Sequence, residues 1–263
     1  MNGYFAILII RMKTLLQYRA ASFAGICTQL FWALLNAMIL RAFYAGASFA
    51  EPISLQQAVT FVWLGQALLP VIPWSIDKEI QAQVKNGNVA YELIRPLHLY
   101  GLWFARSFAL RSIPMAIRCV PIFVIGGLFF GLSAPVSWEA GAMFGLSVAL
   151  ALLLSSSMTT LVLISLFWTI SGEGVQRLLP HFTLLFSGTL VPLPLFPSWI
   201  QSFLSLQPFR GVMDIPCRFY TGVIPVSEAG FYLGFQLSWA LLFILLGRWL
   251  MSRAMKNLVI QGG

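Results

Sequence analysis

Long apolar runs separated by short polar segments organise this chain of 263 residues. Six runs, at about 20 to 43, 57 to 76, 113 to 133, 141 to 168, 178 to 196 and 230 to 250, approach the roughly 20 apolar residues a helix needs to cross a bilayer core. Alternating strands of about ten residues, the signature of outer-membrane barrels, are absent. Because every backbone amide in lipid needs an internal partner, helices must do the spanning. Between the runs lie a loop around Ala45 to Gln56, a polar segment from Ile76 to His98, a short Ser-Ala-Pro-Val turn, the turn "TISGEGVQR" and a proline-rich stretch at 197–226. The expectation is one all-α membrane domain over residues 1–263, with six transmembrane helices.

Residues 2–18 are too short and too interrupted by Arg11 and Lys13 to cross. Tyr4, Phe5, Leu8, Leu15 and Leu16 on one side predict a helix lying in the headgroup region, its basic residues among lipid phosphates. The basic residues follow the first apolar run, the reverse of a secretory signal, and no small-residue cleavage site follows, so the segment is expected to be retained.

In the polar segment, "IDKEIQAQVKNGN" places Ile76, Ile80 and Val84 on one helical stripe. Asp77, Lys78, Glu79, Gln81, Gln83 and Lys85 occupy the other faces. Asn86-Gly87-Asn88 ends the helix, and Pro96 prevents a simple helical passage through Arg95. Two spans can be joined by a handful of residues, yet more than about thirty separate these two. The segment is either a solvated loop or a shaped docking surface.

Composition supports the membrane reading. With 59% hydrophobic residues, a mean hydropathy of +0.84 and only 9% charged residues, the chain lacks the polar surface to cover a soluble globule. A net charge of +8 raises the question of nucleic acid, but the basic residues are scattered at the edges of apolar runs and form no dense patch. No nucleic-acid partner is expected. Arg11, Lys13, Arg19, Lys78, Lys85, Arg95, Arg106, Arg111, Arg118, Arg177, Arg248, Arg253 and Lys256 fall on one side of the six-span topology, and only Arg41, Arg210 and Arg218 on the other. The bias of cytoplasmic loops toward Lys and Arg then predicts that both termini are cytoplasmic.

With the segment "GNVAYELIRPLHLYGLWFAR" and the later "LVPLPLFPSWIQSFLSLQPFRGVMDIPCRFYTG", the chain resembles the permease subunits of ABC-2-type transporters. The first stretch is similar to the "L-x-RPL" cytoplasmic element of one bacterial branch, some of whose members are described as viologen or natural-product exporters. The second resembles the family's Pro-x-Trp, apolar helix, Pro-aromatic element before the last span. The resemblance implies a bacterial inner-membrane exporter in which two permeases, identical or paralogous, form a pathway. It implies two separate ABC ATPase subunits that bind ATP and Mg, with no cofactor held by this chain and no catalytic residues of its own. Residues 76–98 become the ATPase-coupling segment, with Asp77, Lys78, Glu79, Gln83, Lys85, Glu92 and Arg95 in contact, and Glu173 and Arg177 in a second cytoplasmic turn. The stretch at 197–226 becomes short re-entrant helices capping the outer side, where Trp199, Phe203, Arg210, Asp214 and Arg218 face the pathway or its exit. The first and fifth spans would line the partner interface and the pathway.

Other motifs add little. No GxxxxGK[ST] occurs, so the chain has no loop to cradle ATP phosphates. "ISGEGVQ" superficially matches the signature loop of ABC ATPases but sits in a turn with no nucleotide domain around it. Three GxxxG pairs, Gly127/Gly131, Gly141/Gly145 and Gly230/Gly234, compare with about two expected by chance. Arg118, with Arg111 seven residues before it on a similar face, reads as a snorkelling side chain in preference to one facing the pathway. His98 and His181 lack ligand-spaced companions, and Cys27, Cys119 and Cys217 include no CxxC, so no metal site is expected. Ser155, Ser156 and Ser157 can bond the preceding helical turn. Trp199, Phe203 and Leu206 form an apolar stripe, while Arg210, Asp214 and Arg218 recur at ion-pair spacing.

Two readings of other classes remain beside the exporter. A membrane-embedded lipid-modifying enzyme would need converging acids, and none of Glu51, Asp77, Glu79, Glu92, Glu139, Glu173, Asp214 and Glu228 has a convincing catalytic companion. A passive channel or scaffold has no positive signature. The substrate class, whether small molecule, lipid or peptide, is not fixed by the sequence.

Overall fold

The computed structural model describes residues 6, 8–10, 13–14, 19–46, 52–93, 97–169 and 173–256, and every regular element among them is helical. The order is α1 (Arg19–Gly46), α2 (Leu55–Ala67), α3 (Lys78–Lys85), α4 (Ala90–Leu93), α5 (Leu99–Phe129), α6 (Trp138–Ser165), α7 (Glu173–Phe186), α8 (Ser198–Leu206), α9 (Asp214–Tyr220) and α10 (Ala229–Lys256). Single 3-10 turns at Leu69–Val71, Leu193–Leu195, Pro208–Gly211 and Val226–Glu228 join them. The all-helical membrane class expected from the apolar runs is what the chain adopts. The interfacial helix expected at 2–18 lies largely outside the described residues.

Among the described residues, four segments are long and apolar enough to cross a bilayer: Phe23–Gly46, Leu99–Phe129, Trp138–Ser165 and Val226–Lys256. Of these, α6 is the hub: 78% of the residues in its most apolar 18-residue stretch are buried within the chain, against 17% in each of the others. Helices α5, α9 and α10 pack on it, and α2 packs between α1 and α5. An apolar sequence on all sides suits a helix surrounded by other helices.

The runs at 57–76 and 178–196 take a different form from the long helices. Helix α2 has 13 residues and gives way at Leu68 to the 3-10 turn containing Pro70, then to extended backbone. Proline supplies no backbone donor, which favours the break. The Ser155 hydroxyl donates to the Val71 carbonyl there, providing the internal partner that irregular backbone at this depth requires. Helix α7 has 14 residues and ends at Phe186, ahead of Gly188, whose φ of +85° suits glycine best.

At 31 residues, α5 is roughly 46 Å long. That exceeds a hydrocarbon core of about 30 Å by some ten residues. The expected span at 113–133 corresponds to its second half, and the first turns extend beyond it. They gather with α3, the end of α6 and the end of α10 around Ile76, Ile80, Leu102, Trp103, Leu163 and Met251. This is here termed the proximal end. The opposite, distal end is closed by α9 with Ile215, Phe219, Ile224 and Ala229. Lys78, Lys85, Arg106, Arg253 and Lys256 lie at the proximal end and Arg41, Arg210 and Arg218 at the distal end, the separation read from the sequence.

Candidate functional site

Asp77 starts α3 by accepting from the amides of Glu79 and Ile80, which satisfies two of the donors that a helix N-terminus leaves open. The helix closes at Asn86 and Gly87, the latter at φ +71°. Ile76 and Ile80 are buried and Val84 packs against the same cluster, as the stripe predicted. Lys78, Glu79, Ala82, Lys85, Asn86, Asn88 and Tyr91 are exposed, and Gln83 is half-buried. The result is a short amphipathic helix, about 12 Å long, lying across the proximal end.

Arg106 of α5 holds this helix. Its Nε lies 2.8 Å from Asp77 Oδ2 and its Nη2 2.9 Å from Asp77 Oδ1, a two-pronged fork. Nη2 also reaches Glu79 Oε2 at 2.7 Å, and Nη1 reaches Glu92 Oε1 at 3.4 Å. The side chains of Arg106 and Glu92 are 6% and 3% exposed, so this is an interior network. Trp103, one turn back on α5, donates its indole N–H to Glu92 Oε2 at 2.9 Å and stacks on Phe167. Asp77 and Glu92, expected on the outer face of the segment, therefore point inward to α5. Glu79 does both, being 58% exposed while touching Arg106.

Further bonds tie the segment to other helices. Arg111, buried in the next turn of α5, donates to the Ser75 carbonyl and, at 3.3 Å, to the Thr159 hydroxyl of α6. Arg111 is thus an interior cross-link. The Gln81 amide donates to Gln176 Oε1 of α7 at 3.3 Å, which joins α3 to the turn containing Arg177. Arg177 is exposed there. Arg95 lies outside the described residues, and of Glu173 only its backbone place at the start of α7 is described. Sequence reasoning missed Arg106 and Trp103 as parts of this site. The available signal was an arginine in an apolar stretch with no acid on its own helix, placed shortly after three acids.

The second cluster lies at the distal end. Arg210 closes the 3-10 turn Pro208–Gly211 and Asp214 opens α9, with Arg218 one turn further on. Asp214 is fully buried, and its Oδ2 lies 3.6 Å from Arg210 Nη2 and 3.5 Å from Arg218 Nη1. The ion pairs expected from the spacing are present, though longer than hydrogen bonds. Burial holds the Asp214 carboxyl above its usual range, against the opposing pull of Arg218 and Arg210. These residues and Tyr232 line a cavity of about 350 Å³. Trp199 and Phe203 take no part in it: both are exposed on α8, with Phe203 edge-on to Phe186.

Comparison with known proteins gives one family match: the model described as "ABC-2 family transporter protein" aligns with residues 30–262. No curated protein matches the chain.

Proposed function

The chain belongs to the ABC-2 transporter family, and from that membership we propose that it is the permease subunit of an ATP-driven exporter, worked by ABC ATPases on separate chains. ATP and Mg belong to those partners. The observation that carries the coupling assignment is α3, a helix clamped from inside by Ile80 and by the Arg106–Asp77 fork, with Lys78, Ala82 and Lys85 exposed on its outer face. A free amphipathic loop would lose a force applied to it in its own bending. A helix bonded to α5, and through Gln81 to α7, passes the force into the spans.

In this reading the proximal end is cytoplasmic, as its Lys and Arg content favours. The ATPase contacts are the exposed Lys78, Glu79, Lys85 and Tyr91, with Gln83 at the edge and Arg177 beside them. Closure of two ATPases around nucleotide pushes α3, and the overhanging first turns of α5 act as its lever. A second permease, identical or paralogous, completes the pathway in the bacterial cytoplasmic membrane.

The test is charge reversal on the outer face. The double variant Lys78→Glu/Lys85→Glu alters no buried contact and should leave the melting temperature of the purified chain unchanged. Co-purification with the cognate ABC ATPase in mild detergent should fall at least tenfold, and export with it. Retention of both at the level of the unaltered protein would refute the assignment of α3 to ATPase contact.

A further inference from the structure

The distal cavity contains polar atoms to which the chain itself gives no hydrogen bond, Asp214 being held by its two longer ion pairs to Arg210 and Arg218. Both Asp214 carboxylate oxygens, Arg210 Nε and Arg218 Nε are buried without a hydrogen bond, and the first two residues are more than nine-tenths buried. A buried polar atom without a hydrogen bond has given up the one it made with water. The surrounding structure holds the cationic groups in place. Gln207 Oε1 accepts from the Phe209 and Arg210 amides, and Arg210 Nη1 donates to the Ser205 carbonyl at 3.0 Å. The Arg210 guanidinium lies 5.4 Å from the Tyr232 ring centroid and 5.7 Å from that of Phe235. Ser202 and Ser205 are exposed at the rim, so the cavity opens outward.

Charge and depth narrow the ligand. Two guanidinium groups against one carboxylate give a net charge of +1 when all three are ionised, which selects a monoanion and disfavours cations. The two Nε donors suit anionic oxygens, whereas the Asp214 oxygens call for a hydroxyl or ammonium donor on the same ligand. An apolar ligand would leave all four atoms without a hydrogen bond. A volume near 350 Å³ falls within the range of small-molecule sites. Tyr232 is only three residues into α10, roughly 5 Å from its start, which puts the cavity at the headgroup level of a spanning helix.

From these observations we infer that the distal cavity binds a hydroxyl-bearing phosphodiester monoanion, with phosphate oxygens between Arg210 and Arg218 and a hydroxyl on Asp214. Such a group is either the headgroup of a lipid in the distal leaflet or a free solute of the same chemistry. The inference does not depend on the exporter reading, because binding is measured without transport.

The experiment uses the full chain, with any co-purifying subunits, in nanodiscs of phosphatidylglycerol or phosphatidylcholine, followed by native mass spectrometry of retained lipid. Glycerophosphoglycerol, the soluble headgroup diester, is the second probe and is read as competition for the lipid adduct and as thermal stabilisation. The unaltered protein should retain phosphatidylglycerol at least tenfold over phosphatidylcholine. Arg218→Gln, on the more exposed arginine, should remove that preference while melting normally in phosphatidylcholine. If Arg218→Gln does not purify folded, Arg218→Lys, which keeps the charge but loses the fork, is read in the same way with a loss of about threefold or more. Displacement by glycerophosphoglycerol would identify a free diester as a sufficient ligand; retention of lipid without such displacement would identify the headgroup at the membrane. Equal retention of the two lipids with no effect of the soluble diester, or equal binding by the unaltered protein and the arginine variant, would overturn the inference.

Discussion

Arg106 grips Asp77 with two nitrogens, Nε at 2.8 Å and Nη2 at 2.9 Å, across 29 residues of sequence. The same carboxylate caps α3 through the amides of Glu79 and Ile80. One side chain therefore both starts the outer helix and fastens it to α5, so α3 cannot tilt without straining the cap or the fork. Buried pairs of this kind are costly to leave half-made, which gives the junction stiffness rather than bulk stability.

Removing the hub should consequently be severe. Arg106→Ala leaves the buried Glu92 carboxylate and the partly buried Asp77 carboxylate without this counterion and is expected to destabilise the protein by about 3–5 kcal/mol, seen as a lowered melting temperature in detergent. Glu79→Gln, at a side chain 58% exposed, should cost less than about 1 kcal/mol in the same measurement. Similar losses for the two variants would show that the network is not interior.

Ser155 makes a smaller but telling contact. Its hydroxyl is the partner of the Val71 carbonyl where α2 gives way, whereas Ser156 and Ser157 bond back to Leu152 and Leu154 on their own helix. Ser155→Ala should therefore cost about 1–3 kcal/mol in thermal or denaturant unfolding. Ser157→Ala should be nearly neutral, because a helical carbonyl already has its backbone partner.

That contrast shows how far sequence could be read. The stripe of Ile76, Ile80 and Val84 fixed which face of α3 is buried, and the buried Ile80 agrees. Nothing local in sequence pairs Asp77 with Arg106 or Ser155 with Val71, because those contacts depend on how distant helices pack. The apolar run at 57–76 is hydrophobic enough to span, yet Pro70 and Pro73 divide it; hydropathy averages over the break. Arg210, Asp214 and Arg218 were visible as a four-residue rhythm because their pairing is local. The cavity beside them was not, since Tyr232 and Ser202 arrive from other elements.

Glycine gives another instance, and a direct test. None of Gly127, Gly131, Gly145, Gly230 and Gly234, from the GxxxG pairs, has a neighbour within 4 Å of where a Cβ would stand. A close approach does occur next to the first pair, at Gly126, where a Cβ would come to 2.8 Å from Trp63 Cε3, and Trp63 is wholly buried. Gly126→Ala should destabilise the chain by about 1–3 kcal/mol through overpacking. Its neighbour Gly127→Ala should be neutral or stabilise by about 0.5–1 kcal/mol, the helical preference of alanine over glycine. Parallel melting curves of the two variants in one detergent decide the point.

The distal cluster predicts a pH dependence whose sign follows from Asp214. Burial, the largest influence, raises its carboxyl above the usual range, while Arg218 and Arg210 pull it down. A carboxyl raised in the folded state binds its proton more tightly there than in the unfolded chain. Its contribution to stability is therefore fully present below the unfolded value and declines as pH rises through the folded one. Binding follows the same proton: ionised Asp214 leaves the Arg210–Arg218 site at a net +1, and protonated Asp214 leaves it at +2. Phosphodiester affinity should accordingly increase as the pH falls through the raised value, provided the ligand, whose phosphate titrates far lower, stays a monoanion. Asp214→Asn fixes the charge at +2 and should flatten that profile, even where loss of the carboxylate acceptor changes the affinity itself. Titration of glycerophosphoglycerol binding across mildly acidic to neutral pH in both proteins makes the comparison. A slope that survives in Asp214→Asn would assign the proton to another group, and a flat profile in the unaltered chain would mean that Asp214 does not titrate within that range.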